Sequence, residues 1–396
     1  MESRQTPTFE ANFPADLDGD GDAAIALATA YFGEPLEWQE RVTCAMLARD
    51  ERDCYRVPVM GVSVPRQNGK SWSVRSRCFY GMVCNAEKIL FTCQHGDTSD
   101  EMFKDLSAPF EDEDNVELHA LLKAVRKTNG QQAIYLENGG MIRFTTRTNS
   151  LARGKSYDVL IYDEAQELTS AQQAASLPTI SASKKKNSTQ VIYLGTPPGP
   201  ECCGDVFQDL HDKAHDGVTT MCWMEWAASD MGDPFDVARW YECNPSMGLL
   251  ITEKAVEAEA SSMASDVFAR ERLGWWSPNL AAANAIPAAL WRSSAIDAIG
   301  DGYTRKTAFG VKFSSDGRTA AAMMVEAVNA GTVVHIGSPA MDESAKRSIR
   351  RDIGRNGAFS FGDGPDSTSL PVESAALALW AARTTKRDPT RKQRVW

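Results

Sequence analysis

The chain has 396 residues, 43% apolar and 24% charged, with 42 basic against 53 acidic side chains and a formal net charge of -11. That length favours two or three domains with sizeable cores, and the composition excludes a largely disordered or collagen-like chain. No basic start followed by an apolar run opens the chain, and nowhere do about 18 apolar residues run together, so neither a secretory leader nor a membrane span is expected. The nine cysteines include no CxxC spacing, which speaks for reduced thiols in a cytosolic protein and against a zinc ribbon or a disulfide framework. The acidic balance excludes a general polycation but leaves two basic strips, Lys184 to Lys186 and a tail carrying Arg383, Lys386, Arg387, Arg391, Lys392 and Arg394.

Residues 1–30, with DLDGDGD at 16–22, read as a flexible acidic arm. A calcium loop needs a bidentate Glu at its twelfth position, and counting from Asp16 or Asp18 that position is Leu27 or Thr29. Over 31–275, apolar runs bounded by turn signals alternate with amphipathic stretches, the pattern of an α/β domain. Strands are predicted at Val57 to Val64, Lys88 to Thr92, Ala133 to Leu136, Met141 to Thr145, Val159 to Tyr162, Gln190 to Leu194 and Thr219 to Trp223, with helices at 37–50, 70–84, 97–108 and 252–273. The shift to small residues and prolines in WWSPNLAAANAIP marks a linker over 276–287. Beyond it, 288–396 form a second domain that opens on consecutive strands, TAFGVKFSSDGRTAAAMMVEAVNAGTVVHIG, and closes on the amphipathic helix VESAALALWAARTTK.

The stretch GVSVPRQNGKSW at 61–72 is an apolar strand running into NGKS and then a helix-forming segment. Phosphate binding needs a tight glycine turn whose N–H groups wrap the oxygens, a lysine reaching the terminal phosphates, and a hydroxyl for magnesium at a helix N-terminus. Gly69, Lys70 and Ser71 fit those roles, with Gln67 and Asn68 completing the nucleotide-binding loop. The first glycine of GxxxxGK[ST] is replaced by Val64. Downstream, VLIYDEAQEL at 159–168 has Walker B form. A buried strand there carries Asp163 to its carboxyl end to hold magnesium, and Glu164 can polarise a water for attack on the γ-phosphate. Both motifs, in order and each on a strand, point to ATP hydrolysis. Gln39, in LEWQERV at 36–42, is placed to read an adenine edge. Thr196, in YLGTPPGP at 193–200, ends a strand where motors of this class couple the γ-phosphate to domain motion.

Taken together, LEWQ at 36, VPRQNGKS at 64, FTCQHGDTSDEMF at 91, NSLARGKSYDVLIYDEAQEL at 149, YLGTPP at 193 and the closing VESAALALWAARTTKRDPTRKQRVW resemble the large terminase subunit of tailed double-stranded DNA phages. The resemblance spans most of 31–290 and both ends of the remaining carboxyl-terminal segment. It implies a RecA-like, additional-strand P-loop ATPase domain with a mostly parallel sheet flanked by helices, and then an RNase H-like nuclease domain. It implies that Arg66 is the catalytic arginine of the loop, stabilising charge on the transferred phosphoryl group, and that Thr196 belongs to the coupling motif. Its partners would be double-stranded DNA, a portal protein and a small terminase subunit, in a homo-oligomeric ring, a pentamer, docked on the procapsid in the host bacterial cytoplasm. No membrane partner is expected.

RNase H-like nucleases cut DNA with carboxylates converging on two Mg or Mn ions. Here the segment from Ile286 to Trp396 is short for that fold. Alternation along Phe309, Val311 and Phe313 puts Lys312 where a catalytic carboxylate is expected. Asp316 is the nearest substitute, Glu373 resembles the family's last acid, and Asp363 or Asp366 could supply another. Only residues 338–358, a short segment built around the charged stretch DESAKRSIRRDIGR, separate HIG from FSFGDG, so the nuclease domain reads as internally shortened. Two rivals stand beside the packaging motor: a helicase-type P-loop ATPase, and a catalytically inactive assembly or portal-binding protein.

Overall fold

The computed structural model describes residues 1–128, 130–147, 156–185, 188–199, 202, 204–277, 291, 295–296, 324, 327–328, 333, 335–336, 338–352, 359–362 and 369–384. It divides into two units, Met1–Trp276 and Ser277–Trp396.

In the first unit, nine strands form one sheet: β1 (Phe9–Ala11), β2 (Val59–Ser63), β3 (Lys88–Cys93), β4 (Leu122–Arg126), β5 (Ala133–Leu136), β6 (Met141–Thr146), β7 (Val159–Tyr162), β8 (Gln190–Gly195) and β9 (Cys222–Glu225). Their order is β1-β9-β2-β8-β7-β3-β6-β5-β4. The run from β9 to β6 is parallel, and antiparallel pairs close both edges. Every residue of VLIY in β7 and QVIYLG in β8 is buried, as a parallel strand covered on both faces requires. Alternate residues feed two cores. Ile89, Phe91, Val159, Ile161, Ile192 and Leu194 face α1 (Gly21–Phe32), α2 (Glu37–Leu47), α3 (Lys70–Val83), α4 (Gly96–Glu111) and α5 (Val116–Leu121). Leu90, Leu160, Tyr162, Val191, Tyr193 and Trp223 face the opposite layer, which holds α6 (Ser170–Ser176), α7 (Pro178–Ser181) and α8 (Val206–His215). A third cluster joins α9 (Val237–Cys243), α10 (Glu253–Ser262) and α11 (Ser265–Leu273).

Helix α3 is fixed at its far end by a buried ion pair. Arg77 donates to Glu87 at 2.6 Å and to Gln190 at 2.9 Å, and Tyr55 donates to the other Glu87 oxygen at 2.5 Å. Burial pushes the Glu87 carboxyl up, but Arg77 outweighs it and holds the group below its ordinary value. Breaking such a pair costs about 3–5 kcal/mol, because the surviving charge stays buried.

The arm expected over residues 1–30 is ordered. Strand β1 pairs with β9, and α1 packs on α2 and α3 through Ala24, Ala28 and Gly21, whose Cα lies against Cys44. Two of the four acids that suggested mobility are in ion pairs, Asp16 with Arg56 at 2.8 Å and Asp20 with Arg49 at 2.7 Å. Ahead of β1, the Ser3 hydroxyl donates to Pro245 O at 2.9 Å, Gln5 Nε2 donates to the same oxygen at 2.6 Å, and Trp226 Nε1 donates to Arg4 O at 3.1 Å. The single helix expected over 252–273 is two, parted at Met263 and Ala264, whose backbones are extended. Ser261 and Ser262 turn their hydroxyls back onto the Glu257 and Glu259 carbonyls just before the break.

In the second unit, β10 (Ala295–Ile296) pairs in parallel with β11 (His335–Ile336), and β12 (Ile349–Asp352) pairs antiparallel with β13 (Phe359–Gly362). These strands accompany α12 (Pro339–Arg347) and α13 (Leu370–Thr384). Trp291, Met324, Val328, Ala345, Phe361, Val372 and Ala376 make its core. The strand expected at Phe309 to Phe313 lies outside the described residues. No described helix is long and apolar enough to cross a membrane.

Candidate active site at the carboxyl ends of the central strands

Strand β2 leads through residues 64–69 into α3, and two left-handed residues make that turn, Gln67 at φ 63° and Gly69 at φ 84°. A side chain at 69 would be strained there and would also meet Gln39 Nε2 at 2.9 Å. Lys70 begins the helix, and its ammonium folds back to donate to Val64 O at 3.2 Å. Burial pushes that ammonium down to about 8, although Asp163, Glu271 and Glu164 lie close enough to oppose the shift. Ser71 is exposed in the first turn of α3.

One strand away from β2, β7 delivers Asp163 and Glu164, with β8 between. Asp163 is buried, which raises its carboxyl above the ordinary value against the pull of Lys70, and its Oδ1 accepts the Glu164 N–H at 2.9 Å. Glu164 stands at φ 53°, a left-handed conformation costing a non-glycine residue about 1–3 kcal/mol. That turn carries its carboxylate to the amino end of α4. Oε2 accepts the Gln94 and His95 N–H groups, both at 3.1 Å, and Oε1 accepts the Thr98 hydroxyl at 3.1 Å. A carboxylate offers about four acceptor positions, so three donors orient Glu164 and leave one position on Oε1 for a water.

Several expected site residues sit elsewhere. Gln39 is buried, its Oε1 accepting Leu36 N–H at 2.8 Å and its Nε2 donating to Gly69 O at 2.9 Å. Its amide therefore braces the loop, with one acceptor position and one donor already engaged there. Asn68 is fully buried, its side chain engaged by the segment after α9. It donates to Asn244 Oδ1 at 2.9 Å and accepts Ser246 N–H at 3.0 Å, while the Ser246 hydroxyl donates to Asn68 O at 2.7 Å. Arg66 extends outward, 62% exposed along its side chain, and forms an ion pair with Glu271 of α11. Gln67 Oε1 accepts from Arg272 at 3.0 Å. Thr196 is buried just past β8, beside Gln166, and Gly195 O accepts Val64 N–H at 3.3 Å, so the two strand ends touch. In the second unit Glu373 is buried in α13; Asp316, Asp363 and Asp366 lie outside the described residues.

Two buried arginines hold the site, and neither stands out in the sequence. Arg147 follows β6 and donates to Asp163 O at 2.5 Å, Glu164 O at 2.9 Å and Thr92 O at 3.3 Å. Arg272, in the last turn of α11, donates to Arg66 O at 3.1 Å, while Glu259 takes two more of its N–H groups at 2.7 Å each.

A strand bearing a lysine-tipped turn, a second bearing paired acids, and one strand inserted between them define a P-loop NTPase fold of the additional-strand type. More narrowly, the fold is that of a phage large terminase. The crystal structure of the HK97 bacteriophage large terminase superposes with a TM-score of 0.61 at 12% identity, covering 92% of this chain and 100% of that one. The Thermus phage P74-26 large terminase ATPase domain covers 59% of this chain and 92% of its own at 14% identity and a TM-score of 0.38. Compared by sequence, the chain matches no family model and no curated protein.

Proposed function

We propose that this chain is an ATP-hydrolysing motor subunit of a phage DNA-packaging machine. The observation that carries the reading is the convergence of Lys70, Asp163 and Glu164 at neighbouring strand ends, in a fold whose match to a large terminase extends beyond the first unit. Lys70 would meet the terminal phosphates, and its lowered ammonium regains full charge beside them. Glu164 would orient the attacking water with its remaining acceptor position. The residues also fit a magnesium ion. Asp163 is an acid whose burial opposes ionisation, and Ser71 offers an open hydroxyl on the adjoining helix. Those two side chains would hold the ion, which neutralises phosphate charge when bound. Arg66 is released for phosphoryl contact only when its pair with Glu271 opens.

The test is steady-state ATP hydrolysis. Lys70→Ala abolishes it, and Glu164→Gln binds ATP without turning it over; equal turnover by wild type and Glu164→Gln sinks the assignment of the base. An inactive assembly protein predicts no turnover at all. A helicase predicts strand separation, where a packaging motor predicts DNA-stimulated hydrolysis without it.

Double-stranded DNA would be gripped by local basic surface, the strip at Lys184 and Lys185 or the tail after Arg383, so binding falls steeply between roughly 50 and 200 mM salt. The portal, the small subunit, a pentameric ring on the procapsid in the bacterial cytoplasm, and a second unit of RNase H-like type belong to the same proposal. Cutting of plasmid DNA with Mg or Mn should be weak or absent, given Lys312 and the shortened middle. Robust cutting that disappears in Asp316→Ala or Glu373→Ala shows instead that the compact domain is complete.

A further inference from the structure

We propose that His211, His215 and Glu225 form a binding site for a first-row divalent cation, zinc foremost, on the face of the sheet carrying α8. Histidines four apart on a helix share one face, one turn from each other, and here both lie on α8. Glu225 ends β9, two residues beyond Trp223, so alternation turns both side chains toward that helix. Glu225 Oε2 stands 3.6 Å from His211 Nε2 and 3.4 Å from His215 Nε2, and one ligand atom from each of the three residues lies within 4.8 Å of the others. In a tetrahedral zinc site with bonds of about 2.0–2.2 Å, neighbouring ligand atoms are roughly 3.3–3.5 Å apart. The two histidine-to-carboxylate separations are therefore near those of a filled site.

The surroundings hold these side chains as ligands are held. His211 Nδ1 is 3.0 Å from Asp212 Oδ1, which favours the tautomer with the Nε2 lone pair directed at Glu225, the carboxylate–histidine–metal arrangement. Trp223 Nε1 donates to the same Glu225 Oε2 at 2.8 Å, which fixes the carboxylate beside the two imidazoles. Each imidazole lies flat against an aromatic ring, His211 on Trp276 at 3.9 Å and His215 on Phe9 at 3.8 Å between centroids. Glu225 is buried, the His211 side chain is 12% exposed and that of His215 38%, so the cluster opens to solvent on one side, where water completes the coordination. Two imidazoles and one carboxylate suit zinc, cobalt or nickel, and they disfavour magnesium, which takes oxygen ligands. The site is separate from the Ser71 and Asp163 pair, since it joins α8, β9 and, through Phe9, the edge strand β1.

The experiment is titration of the full chain with Co(II), without nucleotide and with excess magnesium to fill oxygen-only sites, followed by zinc competition and a thermal melt. The expected result is one tetrahedral Co(II) spectrum per chain, displaced by zinc, and a melting temperature that rises with zinc and returns with EDTA. His211→Ala and His215→Ala each weaken binding at least tenfold. Glu225→Gln, which keeps the shape and the tryptophan contact, does the same while its circular dichroism matches the wild type. No tetrahedral spectrum from the wild-type chain overturns the proposal, leaving a hydrogen-bonded histidine–glutamate cluster. An unchanged spectrum in His211→Ala/His215→Ala also overturns it, since the ion would then sit elsewhere.

Discussion

The two strand ends that build the candidate site are held by the same device with opposite charge balance. At the 64–69 loop, Arg272 caps a carbonyl and is neutralised by the two-pronged Glu259. At the acidic end, Arg147 caps three carbonyls and, among the described residues, has no side-chain carboxylate within hydrogen-bond reach and no partner for its buried Nε. Burial lowers its guanidinium below the ordinary value, while Asp163 and Glu164 pull the other way. The difference teaches that the loop is stiffened by a neutral clamp, whereas Asp163 and Glu164 are also stabilised by a fixed positive charge behind their backbone. Asp163, whose ionisation burial opposes, depends on that charge more than the loop depends on Arg272.

The largest consequence falls at Arg147. Arg147→Ala takes from Asp163 O the donor it has among the described residues, while Thr92 O and Glu164 O keep the Asp163 and Glu167 N–H groups, so a loss of about 1–3 kcal/mol is expected in urea denaturation. ATP turnover falls about 100-fold or more as Glu164 loses its pose. Wild-type turnover in this variant breaks the comparison outright. Next in size, Arg272→Ala weakens ATP binding roughly tenfold with a smaller drop in turnover, because the loop loosens while the acids stay in place. A double-mutant cycle with Glu259→Ala should give a coupling of about 1 kcal/mol, since that carboxylate is partly exposed and screened. Smaller again, Gln39→Ala costs about 1 kcal/mol and slows ATP and GTP hydrolysis alike. A selective loss of ATP over GTP would restore the adenine-reading role.

The last effect is protonic and is read in a pH slope. With its ammonium near 8 in place of 10.5, folded Lys70 binds fewer protons than the unfolded chain across that window. Its contribution to stability therefore rises with pH from about 8 to 10.5, and Lys70→Met flattens that rise. Phosphate binding reverses the shift, so ADP binding at pH 8 should take up about half a proton, measured by calorimetry in buffers of differing ionisation enthalpy.

The central sheet is legible in the sequence because β7 and β8 are covered on both faces and spell unbroken apolar runs. Lys70, Asp163 and Glu164 are legible because each comes directly after such a run. The clamps are not. Arg147 works on carbonyls 16, 17 and 55 residues away, and Arg272 on one 206 residues away, so their partners have no residue type to recognise. Gln39 is visible as a neighbour of the loop, but its partner is again a carbonyl. The edge strands β1 and β4 escape notice because three- and five-residue segments, half exposed and partly charged, carry too little alternation to read. The same separation hides the histidine–glutamate cluster, since HDKAH and MEW become neighbours only when α8 folds onto β9.

The stitching of the first dozen residues sets an order of events during synthesis. Ser3 and Gln5 bond to Pro245, Trp226 bonds to Arg4, and β1 pairs with β9. These residues leave the ribosome well before their partners, which are made more than 200 residues later, and closing so long a loop carries an entropic cost that local contacts do not offset. Until residue 225 has emerged, the edge of β2 that β9 will cover has no mate. A nascent chain stalled before that point would display it to its neighbours on the polysome as an open pairing template.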